Sequence, residues 1–277
     1  MTSATRERSV LTARVQDARA RRRRRAPQVR SHLPTGVPDF VGVGVQKAGT
    51  SWWYQCLTDH PLVFHPPRVP KERHFFSDPA LAQVGPTDLR DRYASQFPRP
   101  PGAITGEWTP RYLNDGWPMR LLATCAPQAR ILVLLRDPLE RCYSGLRHQL
   151  DRGRAPRQEH VNDAIERSLY GQQLRDLLST VDEERVLVQQ YERCVLGPDK
   201  ELARAFRFLG LPVAEVPSAA TEVNQSSHDG HDAVRAAYGA MLPPDGLLQE
   251  RFAESALDAI KGLDVDPALW PSLGVHQ

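Results

Sequence analysis

Residues Gln46-Lys47-Ala48-Gly49-Thr50-Ser51-Trp52 follow an apolar, largely β-branched run from Phe40 to Val45, a combination suited to holding an anion. With the run as a strand and Gly49, Thr50 and Ser51 opening a helix to about Thr58, the N–H groups of the turn and the positive end of the helix aim at one place. Gly49 permits close backbone approach, Lys47 adds a full charge, and the Thr50 and Ser51 hydroxyls can donate or cap the helix. A Gly-bearing turn with a solvent-facing lysine is the competing reading of these residues. Lysine is scarce here: of 36 basic residues only Lys47, Lys71, Lys200 and Lys261 are lysines. A compact, rotatable ammonium in a tight turn does what a planar guanidinium cannot. Lysine precedes glycine, so the G-x-x-x-x-G-K-[ST] order of nucleoside triphosphatases is not met.

A second basic group stands at a similar place. The apolar run Arg130 to Leu135 is the strongest strand signal of the chain, and it ends in Arg136-Asp137-Pro138. Pro138 suits the first turn of a helix reaching about Leu150, with Ser144 two turns in. Arg136 as a bidentate fork and Ser144 as a hydroxyl donor can converge on one phosphate. Between and beyond these motifs the pattern predicts strands at Leu62–Phe64, Ala103–Gly106 and Arg185–Gln190. It predicts helices at Asp88–Phe97, Trp117–Cys125, Asn162–Ser179, Lys200–Leu209, Val234–Met241 and Leu247–Ile260. Strands alternating with helices imply a doubly wound, mostly parallel α/β sheet flanked by helices, in a single domain over residues 35–277.

The 277 residues are 40% hydrophobic and 25% charged, in the range of ordinary globular chains, and the longest apolar run, Ile131 to Leu135, is too short to span a membrane. Residues 1–30 hold ten arginines against Glu7 and Asp17, a net of +8, so the rest carries −5 of the chain's total of +3. Residues 1–34 therefore read as a disordered, Arg-rich tail, with a polyanion-binding arm as the alternative. An acidic body is not the footprint of a nucleic-acid-binding domain. Cys56, Cys125, Cys142 and Cys194 are scattered, without a zinc or dithiol spacing, and read as reduced thiols of a cytoplasmic protein. The run Arg21 to Arg25 is followed by Ala26 to Ser31 and not by an apolar segment, so neither a Sec nor a twin-arginine signal is expected there.

The Q-K-A-G-T-S-W turn after a hydrophobic strand resembles the 5′-phosphosulfate loop of sulfotransferases that use 3′-phosphoadenosine 5′-phosphosulfate (PAPS). Five further segments strengthen the likeness. Arg136 and Ser144 match the family's 3′-phosphate motif. Lys71-Glu72-Arg73-His74-Phe75-Phe76 resembles K-E-P-H-F-F, and Gly106-Glu107-Trp108-Thr109-Pro110-Arg111-Tyr112 resembles E-K-T-P-x-Y. Tyr191-Glu192 and Phe208-Leu209-Gly210-Leu211 match a strand ending in Y-E and a helix ending in F-L-G-L. The chain is identified as a member of the PAPS-dependent sulfotransferase superfamily, nearer its bacterial and heparan-type branch, with a P-loop-like fold. Two positions depart from the pattern: Arg73 stands for proline and Trp108 for lysine.

The resemblance implies that Lys47 and the N–H groups of Ala48, Gly49, Thr50, Ser51 and Trp52 hold the 5′-phosphate, with Trp52 stacking on adenine and Arg136 and Ser144 on the 3′-phosphate. Glu72 becomes the expected general base, its pKa raised by burial beside Phe75 and Phe76, with His74 as the other candidate on the same face of an extended strand. Trp108, Arg111 and His148 are candidate contacts to the acceptor, although Trp108 reads equally well as core. The implied donor is PAPS, leaving as adenosine 3′,5′-bisphosphate, and no metal is required. The implied acceptor is a small-molecule or carbohydrate-like hydroxyl, as in secondary metabolism, with no specific nucleic acid or membrane as partner. Oligomeric state is not encoded legibly. A Mg²⁺-dependent P-loop kinase and a non-catalytic nucleotide- or polyanion-binding protein are the alternatives. Deleting residues 1–30 is expected to leave turnover nearly unchanged. A fall of more than about tenfold in steady-state rate would overturn the appendage reading.

Overall fold

The computed structural model describes residues 32–216 and 229–274. Residues 1–31 of the Arg-rich tail, 217–228 and 275–277 lie outside them. Four strands, β1 (Phe40–Gly44), β2 (Gly106–Trp108), β3 (Arg130–Leu135) and β4 (Val186–Gln190), pair in the order β2-β1-β3-β4, every neighbour parallel. The helices are α1 (Thr50–Thr58), α2 (Pro86–Ala94), α3 (Gly116–Cys125), α4 (Pro138–Asp151), α5 (Gln158–Glu166), α6 (Tyr170–Thr180), α7 (Tyr191–Leu196), α8 (Pro198–Phe208), α9 (Asp229–Tyr238) and α10 (Asp245–Ala259).

The strands are buried along nearly their whole length, as a parallel sheet covered on both faces requires. Phe40, Val41 and Val43 of β1 and Leu132, Leu134 and Leu135 of β3 form the middle of the core. Because β2 lies on one side of β1 and β3 on the other, chain connections diverge at β1, and the crevice at the carboxyl ends of β1 and β3 is where such sheets bind ligands.

Several expected elements are displaced for local reasons. The strand expected at Ala103–Gly106 begins only at Gly106, because Thr105 donates its N–H to the Asp39 carboxylate and Ile104 is occupied by a lone bridge to Val63. That bridge is all that forms of the expected strand Leu62–Phe64. The single helix expected over Asn162–Ser179 is two, α5 and α6, broken at Arg167–Leu169. There Ser168 is buried with its hydroxyl bonded to Ala164 and Arg141, and the break lets the Tyr170 hydroxyl reach the carbonyl of Arg136. No helix among the described residues is long and apolar enough to cross a membrane.

The substitution of tryptophan for lysine at 108 has a packing explanation. The Trp108 side chain is fully buried, its ring lies across β1 at Gly42, and its Nε1–H donates to the carbonyl of Gly44 at 3.2 Å. A Cβ on Gly42 would stand 2.0 Å from Trp108 Cδ2, so the indole fits only because residue 42 has no side chain. Gly42→Ala is expected to cost about 1–3 kcal/mol in urea unfolding through overpacking. In a double-mutant cycle with Trp108→Leu most of that cost should vanish, and an additive cycle would show that the two do not share the space.

Candidate active site

The turn after β1 is built on two left-handed residues, Lys47 (φ 74°) and Gly49 (φ 78°). Gly49 is the N-cap of α1, where a Thr or Ser cap was expected, so the cap offers no side-chain oxygen to the first turn. The N–H groups of a first turn left uncapped in this way suit an external anion. Only glycine fits at 49: its φ is unfavourable for other residues, and a Cβ would lie 2.6 Å from the Tyr191 ring. Thr50 is buried, Ser51 exposed, and Trp52 half-buried with its ring edge-on to Tyr191. Trp53 is the core residue of the pair, fully buried, with its Nε1–H donating to Gln189 at 2.9 Å.

Arg136 leaves β3 directly beside this turn. Its Nη1 donates to the carbonyl of Lys47 at 3.2 Å, its Nη2 stands 3.3 Å from Glu140, and its guanidinium lies 5.0 Å from the centre of the Tyr191 ring. Tyr191 thus packs against both basic motifs, and the adjacent Glu192 accepts from the N–H of Asp137 and from the Trp270 indole. Asp137 is a helix cap: its carboxylate accepts from the N–H groups of Leu139, Glu140 and Ser272. Ser144 lies one turn beyond Glu140 on α4, partly exposed. On the same side of α4, His231 of α9 stands 3.0 Å from Glu140 and stacks on Tyr143.

Glu72 and His74 were expected as alternatives on one face of an extended strand. The segment is irregular instead, and His74 sits in the left-handed region at φ 51°. Its ring turns back so that Nε2 is 3.0 Å from Glu72 Oε2, while Lys71 Nζ is 3.3 Å from Oε1. The two candidates are therefore partners. Burial pushes the Glu72 carboxyl up, but the hydrogen bond from His74 and the charge and hydrogen bond of Lys71 outweigh it, so its pKa is lowered, opposite to expectation. Lys71 Nζ also donates to Thr50 Oγ1 at 3.2 Å and so joins Glu72 to the first residue of α1. Lys71 was missed as a site residue, although its rarity as a lysine was the available signal.

Beneath this segment Glu107 is fully buried. It accepts from Tyr93 at 2.7 Å, from Thr109 at 2.5 Å and from the backbone N–H of Arg73 at 3.1 Å, and Thr109 in turn accepts from the N–H of His74. Arg73 explains its own departure from the family's proline, which has no N–H to give Glu107. Desolvation raises the Glu107 pKa, partly offset by the Thr109 and Tyr93 hydrogen bonds.

Of the expected acceptor contacts, Trp108 is excluded by its burial. Arg111 is exposed and paired with Asp115 at 3.2 Å. His148 lines a recess with Lys47, between α4 and α5. Burial and then Arg141 lower the pKa of Lys47, so the site disfavours the bare ammonium and an anion beside it would offset that cost.

Comparisons with known proteins converge. A family model described as a sulfotransferase domain matches residues 37–229. Human bifunctional heparan sulfate N-deacetylase/N-sulfotransferase 2 is 32% identical over 123 residues, 42% of this chain but 13% of that protein's length, so the chain spans only a small part of this relative. Among solved structures, a sulfotransferase from Alicyclobacillus acidocaldarius superposes with a TM-score of 0.64 at 22% identity, covering 84% of this chain and 98% of that one. A mouse sulfotransferase solved in complex with PAP gives 0.50 at 16% identity, covering 84% and 88%. At these identities the structural likenesses establish the fold.

Glu107→Ala leaves the N–H of Arg73 and the hydroxyls of Tyr93, Thr109 and Tyr112 without this acceptor. It is expected to lower stability by roughly 2–4 kcal/mol in urea unfolding. The amides of Arg73 and His74 should exchange with solvent faster by a larger factor than amides of β3. Uniform acceleration across the chain would overturn the role of Glu107 as a clamp on this segment.

Proposed function

Since the chain belongs to the sulfotransferase-domain family, we propose that it moves a sulfuryl group from PAPS to a hydroxyl of a small-molecule or carbohydrate-like acceptor. The observation that carries this reading is the hydrogen-bonded path from Thr50 through Lys71 to Glu72, which puts a carboxylate base next to an anion-binding helix start. The residues fit the donor: a left-handed Gly49 without a Cβ, the Lys47 ammonium, the uncapped first turn of α1, and Arg136 at the neighbouring strand end.

PAPS, when bound, supplies an electrophilic sulfur and a phosphate leaving group. The chain's own residues supply the rest, and sulfuryl transfer, like phosphoryl transfer, asks mainly for positioning and charge stabilisation. Lys47 and the N–H groups of 48–52 hold the 5′-phosphate and stabilise the charge that grows on it as the S–O bond breaks. Glu72 takes the proton of the acceptor hydroxyl while that oxygen bonds to sulfur. His74 orients Glu72, and Trp52, half-exposed at the turn, offers a face for adenine. Arg136 and Ser144 take the 3′-phosphate, for which Arg136 exchanges its Glu140 contact. A kinase reading lacks the lysine-after-glycine loop, and Asp137 spends its carboxylate on backbone N–H groups.

Calorimetric titration with adenosine 3′,5′-bisphosphate, ATP and AMP tests the donor. Binding selective for the 3′-phosphorylated nucleotide, unaffected by EDTA and weakened at least tenfold in Lys47→Ala and Arg136→Ala, is expected. Mg²⁺-dependent preference for ATP would overturn the assignment. A pH–rate profile tests the base. With Glu72 lowered, the acidic limb of kcat/KM should fall below the ordinary carboxylate value of about 4.3. Glu72→Gln should abolish turnover. In His74→Asn the lowering hydrogen bond is lost, so the limb should move to higher pH while activity at the plateau persists. An unmoved limb would show that His74 does not act through Glu72.

A further inference from the structure

The recess beside Lys47 lies on the opposite side of α4 from Glu140 and His231. Arg141, Gly145, His148 and Arg152 follow one another at spacings of four, three and four residues along α4, which puts them on one stripe facing α5. The recess has a volume of about 140 Å³ and is closed on the α5 side by His160, Asp163 and Arg167. Gly145 makes its floor: a Cβ there would already stand 3.0 Å from Arg141 Nη2. Glycine in mid-helix costs stability, and what it provides here is room.

The lining is strongly and unequally charged. Asp163 is engaged by Arg167 at 2.8 Å, which leaves Lys47, Arg141, Arg152 and Arg154. Arg141, fully buried, donates to neutral oxygens: the carbonyl of Gln46 at 2.9 Å, that of Ala164 at 2.6 Å and the Ser168 hydroxyl at 3.1 Å. Arg154 donates to Gln149 at 2.7 Å, and Arg152 stands 3.5 Å from His148 Nε2. The field is felt by the residues in it. Burial and then Lys47 and Arg152 lower the pKa of His148, and Arg141 adds to burial in lowering Lys47; Asp151, 3.9 Å from Arg147, opposes both only in part.

We infer that this recess binds an anionic group, a carboxylate or sulfate ester carried by the acceptor. This rests on the sulfotransferase reading, in which Lys47 marks the place of the reacting phosphosulfate, so a ligand anchored at Arg152 and Arg154 extends toward the transferred group. The enzyme then selects acceptors that already bear a negative charge. Like charges gathered on neutral partners work against the fold, and an anion in the recess would offset that cost.

Two-dimensional NMR of the full chain, following the His148 ring and arginine side chains, tests it with inorganic sulfate, D-glucuronate and, as the neutral control, D-glucose. The titrations are run on the protein alone and on protein saturated with adenosine 3′,5′-bisphosphate. Sulfate and glucuronate are expected to shift the His148 ring saturably in both forms, and glucose not to. Arg152→Gln with Arg154→Gln, both at exposed positions, should raise the glucuronate Kd at least fivefold and leave the nucleotide Kd within twofold. Equal binding of glucose, an unchanged Kd in the double variant, or expulsion of sulfate by the nucleotide would overturn the inference, the last by making the recess part of the donor site. Failure of the wild-type chain to bind the nucleotide overturns the donor assignment alone, and the titration of the ligand-free protein still decides the recess.

Discussion

The site depends on β1 and β3 lying side by side and parallel. Parallel neighbours deliver their carboxyl ends to the same edge, so the turn after β1 and the arginine after β3 meet without any long loop to carry them. The join is made by backbone as well as side chain: Val45 donates its N–H to the carbonyl of Leu134 at 2.9 Å, and Arg136 donates to the carbonyl of Lys47 at 3.2 Å. Tyr191, which follows β4 on the far side of β3, then closes over both, filling the space that Gly49 leaves empty. Three strand ends therefore meet at the proposed donor site, and each contributes a residue whose position is fixed by the sheet.

Concentrating positive charge at one sheet edge works against folding, and the chain offsets it unevenly. On one side of α4, Arg136, Glu140 and His231 balance one another, and the hydrogen bond with Glu140 raises the pKa of His231. On the other side, Arg141 relies on carbonyl oxygens, which solvate a guanidinium but do not neutralise it. An anion entering either side meets preorganised donors in surroundings of lower dielectric than water, where each interaction is stronger than on an open surface.

The Lys71–His74 segment shows how a weak base is kept ionised in a half-buried place. Burial alone would favour the neutral Glu72 carboxyl, but Lys71 and His74 each present a donor to one of its oxygens. Those donors stay in place because the segment is clamped from below by Glu107 and Thr109 through the amides of Arg73 and His74. The clamp uses an N–H that a proline at 73 would lack, so this chain holds the segment by a hydrogen bond where a proline would hold it by restricting its backbone.

The apolar runs, Gly-bearing turn and helix starts were enough to read the α/β class, the placement of β1, β3 and β4, and Lys47 and Arg136 at strand ends. These features are local, and hydrophobic period and turn chemistry report them directly. Tertiary structure decided what depends on partners far along the chain: the break between α5 and α6, the burial of Trp108 against Gly42, the pairing of His74 with Glu72, and the joining of Lys71 to Thr50. The direction of the Glu72 pKa was misjudged for the same reason. Desolvation can be guessed from neighbouring phenylalanines, but the opposing hydrogen bonds exist only once His74 has adopted a left-handed backbone, and that conformation is set by contacts with residues 107 to 112.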